Sequence, residues 1–128
     1  MTSLVLDASA MVDILVSPGR AASVIGAIGS AEQHVPAHFD AEVLSALGRL
    51  QRAGHLTDSE VEVRLDVLAR ALLIRHELHL HLTGAWQRRH RLQLADALYA
   101  ELAESLDAPL VTCDAGLASV VPGSVLIT

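Results

Sequence analysis

The sequence contains no lysine; all nine of its basic residues are arginines. That absence removes whole mechanisms. A P-loop nucleotide site requires Gly-Lys-Ser/Thr, and Schiff-base chemistry requires a lysine amine. Receiver domains and phosphatases of the haloacid dehalogenase type put an aspartate at a strand end, as this chain does, but pair it with a lysine. Cysteine is nearly missing too. Cys113 is alone, so it has no partner for an internal disulfide, and a reducing, cytoplasmic compartment is expected. Aromatic residues make up only 2% of the chain. Mean hydropathy is +0.41, yet no apolar run reaches the roughly 18 residues of a spanning helix, because Asp7, Asp13, Arg20 and Glu32 interrupt the most apolar stretches. No basic stretch precedes the first apolar segment, so neither a signal peptide nor a membrane partner is expected.

What is present fits a single domain over residues 1–128. The chain is 52% hydrophobic and rich in Ala, Leu and Val, enough to bury a core without disulfides or structural metals. Fifteen acids against nine bases give a net charge of −6. This balance argues against an electrostatic clamp on nucleic acid. It leaves room for a nucleic-acid enzyme whose positive charge comes from metal ions.

Along the chain, short apolar strands alternate with helices. Leu4-Val5-Leu6, His34-Val35-Pro36, Leu110-Val111-Thr112 and Val125-Leu126-Ile127 read as strands. Helices are expected over 10–16, 20–31, 38–53, 57–73 and 94–106. Thr57 with Glu60 forms a capping box, and Gly54 stops the helix before it. The expected buried stripes are Val61, Leu65, Leu68 and Leu72 in one helix, and Ala95, Leu98, Leu102 and Leu106 in another. Residues 74–82 read as a short strand leading into a helix through Trp86. The pattern implies an α/β, three-layer sandwich with a central, mainly parallel sheet flanked by helices. In such folds ligands bind beyond the carboxyl ends of the strands.

Asp7 ends one predicted strand and Asp114 follows another. Each acid also has a structural use: Asp7 and Asp114 stand where N-caps stand, and Asp96 lies in a first helical turn, where the macrodipole favours an anion. Glu42 lies on a helix border, sharing a face with His38, Ser45 and Arg49, and can look into a cleft. Convergence of four carboxylates needs counter-charge, since two of them ~4 Å apart repel by about 4 kcal/mol at an effective dielectric near 20. Hard oxygen ligands suit Mg2+ or Mn2+, and such an ion produces a water nucleophile at neutral pH. In-line phosphodiester hydrolysis is the natural chemistry.

Four segments resemble PIN-domain ribonucleases of the VapC toxin type: LVLDASA at 4–10, AEVLSALGRL at 41–50, LADALYAELAE at 94–104 and APLVTCDAGLA at 108–118. They occur in the family's order and cover essentially the whole chain. The resemblance implies that Asp7, Glu42, Asp96 and Asp114 make a catalytic Mg2+ or Mn2+ site, supported by Ser9 and Thr112, with Arg89 as an RNA contact. It implies an endoribonuclease toxin acting on tRNA or rRNA, neutralised by a cognate VapB-like antitoxin, and a homodimer. Leu94 stands where many members carry an aromatic. Asp40 is an extra acid near Glu42, but Glu42 opens the family-like Glu-Val-Leu-Ser-Ala-Leu run.

Other signals are weaker. His76, His79 and His81 alternate with leucines, and the one cysteine lies far off in sequence, so a zinc site is disfavoured. Arg88, Arg89 and Arg91 form the one basic cluster, suited either to solvent or to phosphate. A competing reading from another class is a PIN-fold protein acting mainly as a partner-binding module, with a vestigial acidic site. A small-molecule phosphohydrolase is weaker still, because no Gly-rich phosphate cradle is present.

Overall fold

The computed structural model describes residues 2–128. A five-stranded sheet lies at its centre, and every strand pairing in it is parallel. The strands are β1 (Ser3–Leu6), β2 (Glu32–Pro36), β3 (Ile74–His76), β4 (Leu110–Thr112) and β5 (Val125–Leu126), in spatial order β3-β2-β1-β4-β5. The helices are α1 (Ala8–Val16), α2 (Pro18–Ile28), α3 (Phe39–Arg52), α4 (Asp58–Arg70), α5 (Leu82–Gln87), α6 (Leu94–Leu106) and α7 (Ala115–Val120), with a 3-10 turn at His79–His81. The three-layer α/β reading therefore holds.

The Leu4-Val5-Leu6 run of β1 is apolar because both faces of a central parallel strand are covered. Leu4, Val5 and Leu6 are fully buried, as are Val35, Leu110 and Val111. The chain winds outward from β1 through β2 to β3, then crosses back to place β4 on the other side of β1. The crevice at the carboxyl ends of β1 and β4 is thus the point where strand order reverses.

Local punctuation follows ordinary chemistry. Pro18 starts α2 at its first turn, where a missing N–H costs nothing. The sequence pattern carries that helix to Ala31, but it ends at Ile28, with Gly29 at φ 55°. Gly54, at φ 83°, follows the end of α3. The Thr57–Glu60 capping box is present, with both reciprocal bonds made.

Two buried faces differ from the pattern-based expectation. In α4 Leu68 is buried and Val61 and Leu65 pack half-buried against the core as expected, but Leu72 is 92% exposed. The helix ends at Arg70 and Ala71 turns extended, which takes Leu72 out of the helical register that placed it inward. In α6 the buried residues are Ala97, Tyr99, Ala100, Leu102 and Ala103, while Ala95 is exposed and Leu98 and Leu106 are half-buried. This helix packs against β1 and β2 as well as α5, so its buried face is wide and rich in alanine rather than a narrow leucine stripe. Ile25, Val63 and Val67 remain exposed on α2 and α4, and Leu72 on the turn that follows α4. Among the described residues, no helix is long and apolar enough to cross a membrane.

Candidate active site

Four elements deliver one acid each to the carboxyl edge of the sheet. Asp7 follows β1, Asp114 follows β4, and Glu42 and Asp96 occupy the first turns of α3 and α6. All four line one cleft of about 410 Å3, whose walls also include Arg20 and Arg49. A larger cavity of about 590 Å3 lies along α6 between Arg88 and Gly123, but none of these four carboxylates lines it. Chemistry rather than volume singles out the smaller cleft.

Each acid is held differently. Asp7 stands at the N-cap of α1 but makes no capping bond. Its Oδ2 accepts instead from Ser9 Oγ at 2.6 Å and Thr112 Oγ1 at 2.7 Å. Those hydroxyls accept in turn from the backbone N–H groups of Cys113 and Asp114. The network ties β1, α1 and the end of β4 around one buried carboxylate. Asp114 does cap its helix, with Oδ1 accepting from Leu117 N at 3.1 Å. Glu42 Oε1 accepts from the Tyr99 hydroxyl at 2.6 Å and lies 3.5 Å from His38 Nε2. Among the described residues, Asp96 has no hydrogen-bond partner, and burial together with the charges of Asp7, Asp114 and Glu42 raises its pKa above the usual aspartate value.

Tyr99 and His38 are the site residues that the sequence pattern missed. Tyr99 is fully buried, and burial and its bond to Glu42 push its pKa far up, so the hydroxyl stays a donor. His38 Nε2 lies 3.0 Å from the carbonyl of Ala95, and its ring tilts against Tyr99 at 5.1 Å. Both bridge α3 to α6, the helices that carry Glu42 and Asp96. A signal existed in the sequence: a tyrosine on an alanine-rich face must find a partner for its hydroxyl. Asp13 and Cys113 also border the cleft. Cys113 donates to Asp13, and burial, followed by that bond, pushes its thiol up to about 11.

The basic cluster falls elsewhere. Arg88 is taken up by Glu101 and Glu104 of α6. Arg89 lies 4.5 Å over the exposed Trp86 ring and donates to the Trp86 carbonyl, and it does not line the cleft. His76 Nε2 is hydrogen-bonded to His34 Nδ1 at 2.8 Å, whereas His79 is exposed.

Among the described residues, no three histidine, cysteine, aspartate or glutamate side chains are disposed to hold one ion together. The fit to a divalent cation lies in donor chemistry instead. Asp7, Glu42 and Asp114 each use one carboxylate oxygen in the bonds above and keep the other free, Asp96 keeps both, and the mutual repulsion felt at Asp96 calls for positive charge. Hard carboxylate oxygens select Mg2+ or Mn2+.

A family model described as the PIN domain matches residues 4–121. Ribonuclease VapC3 of Mycobacterium tuberculosis is 49% identical over 122 residues, covering 94% of this chain and 89% of the relative. Ribonuclease VapC1 of the same species is 36% identical, covering 93% of this chain and 91% of its own. Two solved structures share the fold. The crystal structure of PAE2754 from Pyrobaculum aerophilum superposes with a TM-score of 0.73 at 23% identity, over 98% of this chain and 90% of that one. A toxin–antitoxin complex from Klebsiella pneumoniae gives a TM-score of 0.70 at 15% identity, over 98% of both chains.

Proposed function

Because this chain belongs to the PIN-domain family, in its VapC branch, we propose that it is a divalent-metal-dependent endoribonuclease toxin, with Asp7, Glu42, Asp96 and Asp114 as its catalytic residues and metal ligands. The observation that carries this reading is the cleft itself. Four carboxylates from four separate segments line one crevice at the carboxyl ends of β1 and β4.

A bound Mg2+ or Mn2+ supplies an activated water and charge neutralisation at the scissile phosphate. The chain supplies positioning. Ser9 and Thr112 fix one oxygen of Asp7 and leave the other toward the cleft. Tyr99 and His38 do the same for Glu42. The Leu117 N–H orients Asp114. Among the described residues Asp96 is left without a donor, the condition of a carboxylate kept for a cation rather than for the fold. Such pre-set geometry avoids reorganisation during the reaction.

Kinship with the VapC ribonucleases supports RNA as substrate, of the tRNA or rRNA kind, and a VapB-like antitoxin as protein partner in the cytoplasm. The exposed Ile25, Val63 and Val67 on α2 and α4, with Leu72 just past α4, give an outer surface that a second copy or an antitoxin can cover, in keeping with a homodimer. Arg89, beside Trp86, is proposed as a more distant RNA contact.

The alternative is a partner-binding module with a vestigial site, and the lack of a ready-made three-ligand cage among the described residues is the observation in its favour. Calorimetric titration of the partner-free protein with Mn2+ separates the two. Binding in the wild type that is lost in Asp7→Asn and Asp96→Asn supports the nuclease; no binding in the wild type supports the module. Mapping RNA 5′ ends after induced expression then identifies the RNA that is cut.

A further inference from the structure

Of the nine arginines, six have partners in the fold. Arg20, Arg70, Arg75 and Arg88 form ion pairs with carboxylates. Arg64 donates to two carbonyls, and Arg89 covers Trp86. Among the described residues this leaves Arg49, Arg52 and Arg91 without a protein partner. Arg91 borders the larger cavity along α6, and Arg52 borders neither cavity. Arg49 alone of the three lines the acidic cleft, on the same wall as Glu42 and Ala46. The spacing explains this: residues 42, 46 and 49 recur at i, i+4 and i+7 and share one face of α3.

We propose that Arg49 is a substrate-binding residue that holds an RNA phosphate next to the one being cut. This rests on the nuclease reading above. Glu42 and Arg49 are two turns apart, about 10 Å along the helix axis, a separation on the scale of one to two nucleotides of an extended strand. The carboxylate end of this wall repels RNA until metal ions neutralise it. The guanidinium end attracts RNA without help, and its planar fork matches a phosphate in two hydrogen bonds. The neighbouring Arg20 is already committed to Asp13 and to the Ile127 carbonyl, so it adds field at the rim while Arg49 is free to make the contact. The chain's shortage of unpaired cations makes the assignment specific: with no lysine, the cleft has no other unpaired positive side chain among the described residues.

The test measures binding of a short fluorescein-labelled RNA hairpin by anisotropy across a salt series. The protein carries Asp96→Asn, which prevents cleavage, alone or together with Arg49→Gln or Arg52→Gln. Arg49→Gln is expected to weaken binding about three- to tenfold at low salt and to lower the slope of log Kd against log salt by about 0.7 to 0.9, the signature of one lost phosphate contact. Arg52→Gln, one turn on with the same loss of charge, is expected to leave the slope unchanged. In the active protein, Arg49→Lys is expected to recover most of the KM lost in Arg49→Gln, with kcat held throughout. An unchanged slope in Arg49→Gln, or equal losses in both glutamine variants, overturns the assignment. Failure of the wild type to cleave RNA at all is a separate result; it overturns the nuclease reading and leaves the salt slopes to report on Arg49.

Discussion

Asp96 shows at the scale of one residue what this cleft costs the fold. Its carboxylate is partly buried, faces three other acids and has no donor among the described residues. Its folded pKa therefore lies above its unfolded value, so the folded state binds the proton more readily. The ionised group destabilises the protein at neutral pH, and that penalty fades as pH falls through the raised folded pKa toward the unfolded one. Asp96→Asn is expected to abolish RNA cleavage while raising Tm by roughly 2–5 °C at pH 7 without divalent ions. The difference should shrink on acidification, as scanning calorimetry at several pH values checks. Tyr99→Phe is the converse. It keeps the buried ring and removes the hydroxyl that donates to Glu42. Activity is expected to fall about tenfold, with a stability loss near 1 kcal/mol, read from single-turnover cleavage and urea denaturation. Neither effect follows from pattern reading, because both depend on which side chains meet across α3 and α6.

At the scale of elements, most of the scaffold was legible and most of the burial detail was not. Strands showed themselves through short apolar runs at Leu4–Leu6 and Leu110–Thr112, and α6 through its periodicity, because local propensity and punctuation decide such features. The inward faces of α4 and α6 depend on tertiary neighbours. Leu72 illustrates this: the helical period places it inward, and the turn at Ala71 puts it outside. Leu72→Ser is accordingly expected to leave stability within about 0.5 kcal/mol, whereas Leu68→Ala is expected to cost about 2–4 kcal/mol; equilibrium unfolding of both variants decides. The acids were legible as a set because they close strands or open helices. Tyr99, His38 and Arg49 were not singled out as site residues, because a packed tyrosine, a flanking histidine and a helix-end arginine look ordinary in one dimension.

The edge strand β3 carries a pH dependence of its own. His76 hydrogen-bonds His34 across the β2–β3 pair. Burial, followed by the nearby His34 and His81, lowers the His76 pKa below the ordinary 6.5. The unfolded chain then binds the proton more readily, so stability is complete above pH 6.5 and declines as pH falls toward the folded value. The protection factors of the β3 amides, taken relative to intrinsic exchange at each pH, are expected to fall over that interval, and His76→Gln is expected to flatten the dependence. Protection factors that do not change with pH in the wild type would contradict the pairing.

At the scale of the whole molecule, the net charge of −6 at first weighs against an RNA partner. The four acids assigned to the site, Asp7, Glu42, Asp96 and Asp114, carry −4, and without them the chain's formal charge is −2. Much of the acidity is gathered at one site, where divalent ions would offset it and admit a phosphate. With no lysine, the remaining positive charge is carried by arginines, most of which already serve the fold. One measurement tests the central claim most directly: cleavage of a fluorescently quenched RNA by the purified, partner-free protein in Mn2+ or Mg2+, set against the same protein in EDTA and against Asp7→Asn. The expected result is cleavage only in the wild type with the divalent ion. Undiminished cleavage in EDTA or by Asp7→Asn would contradict it.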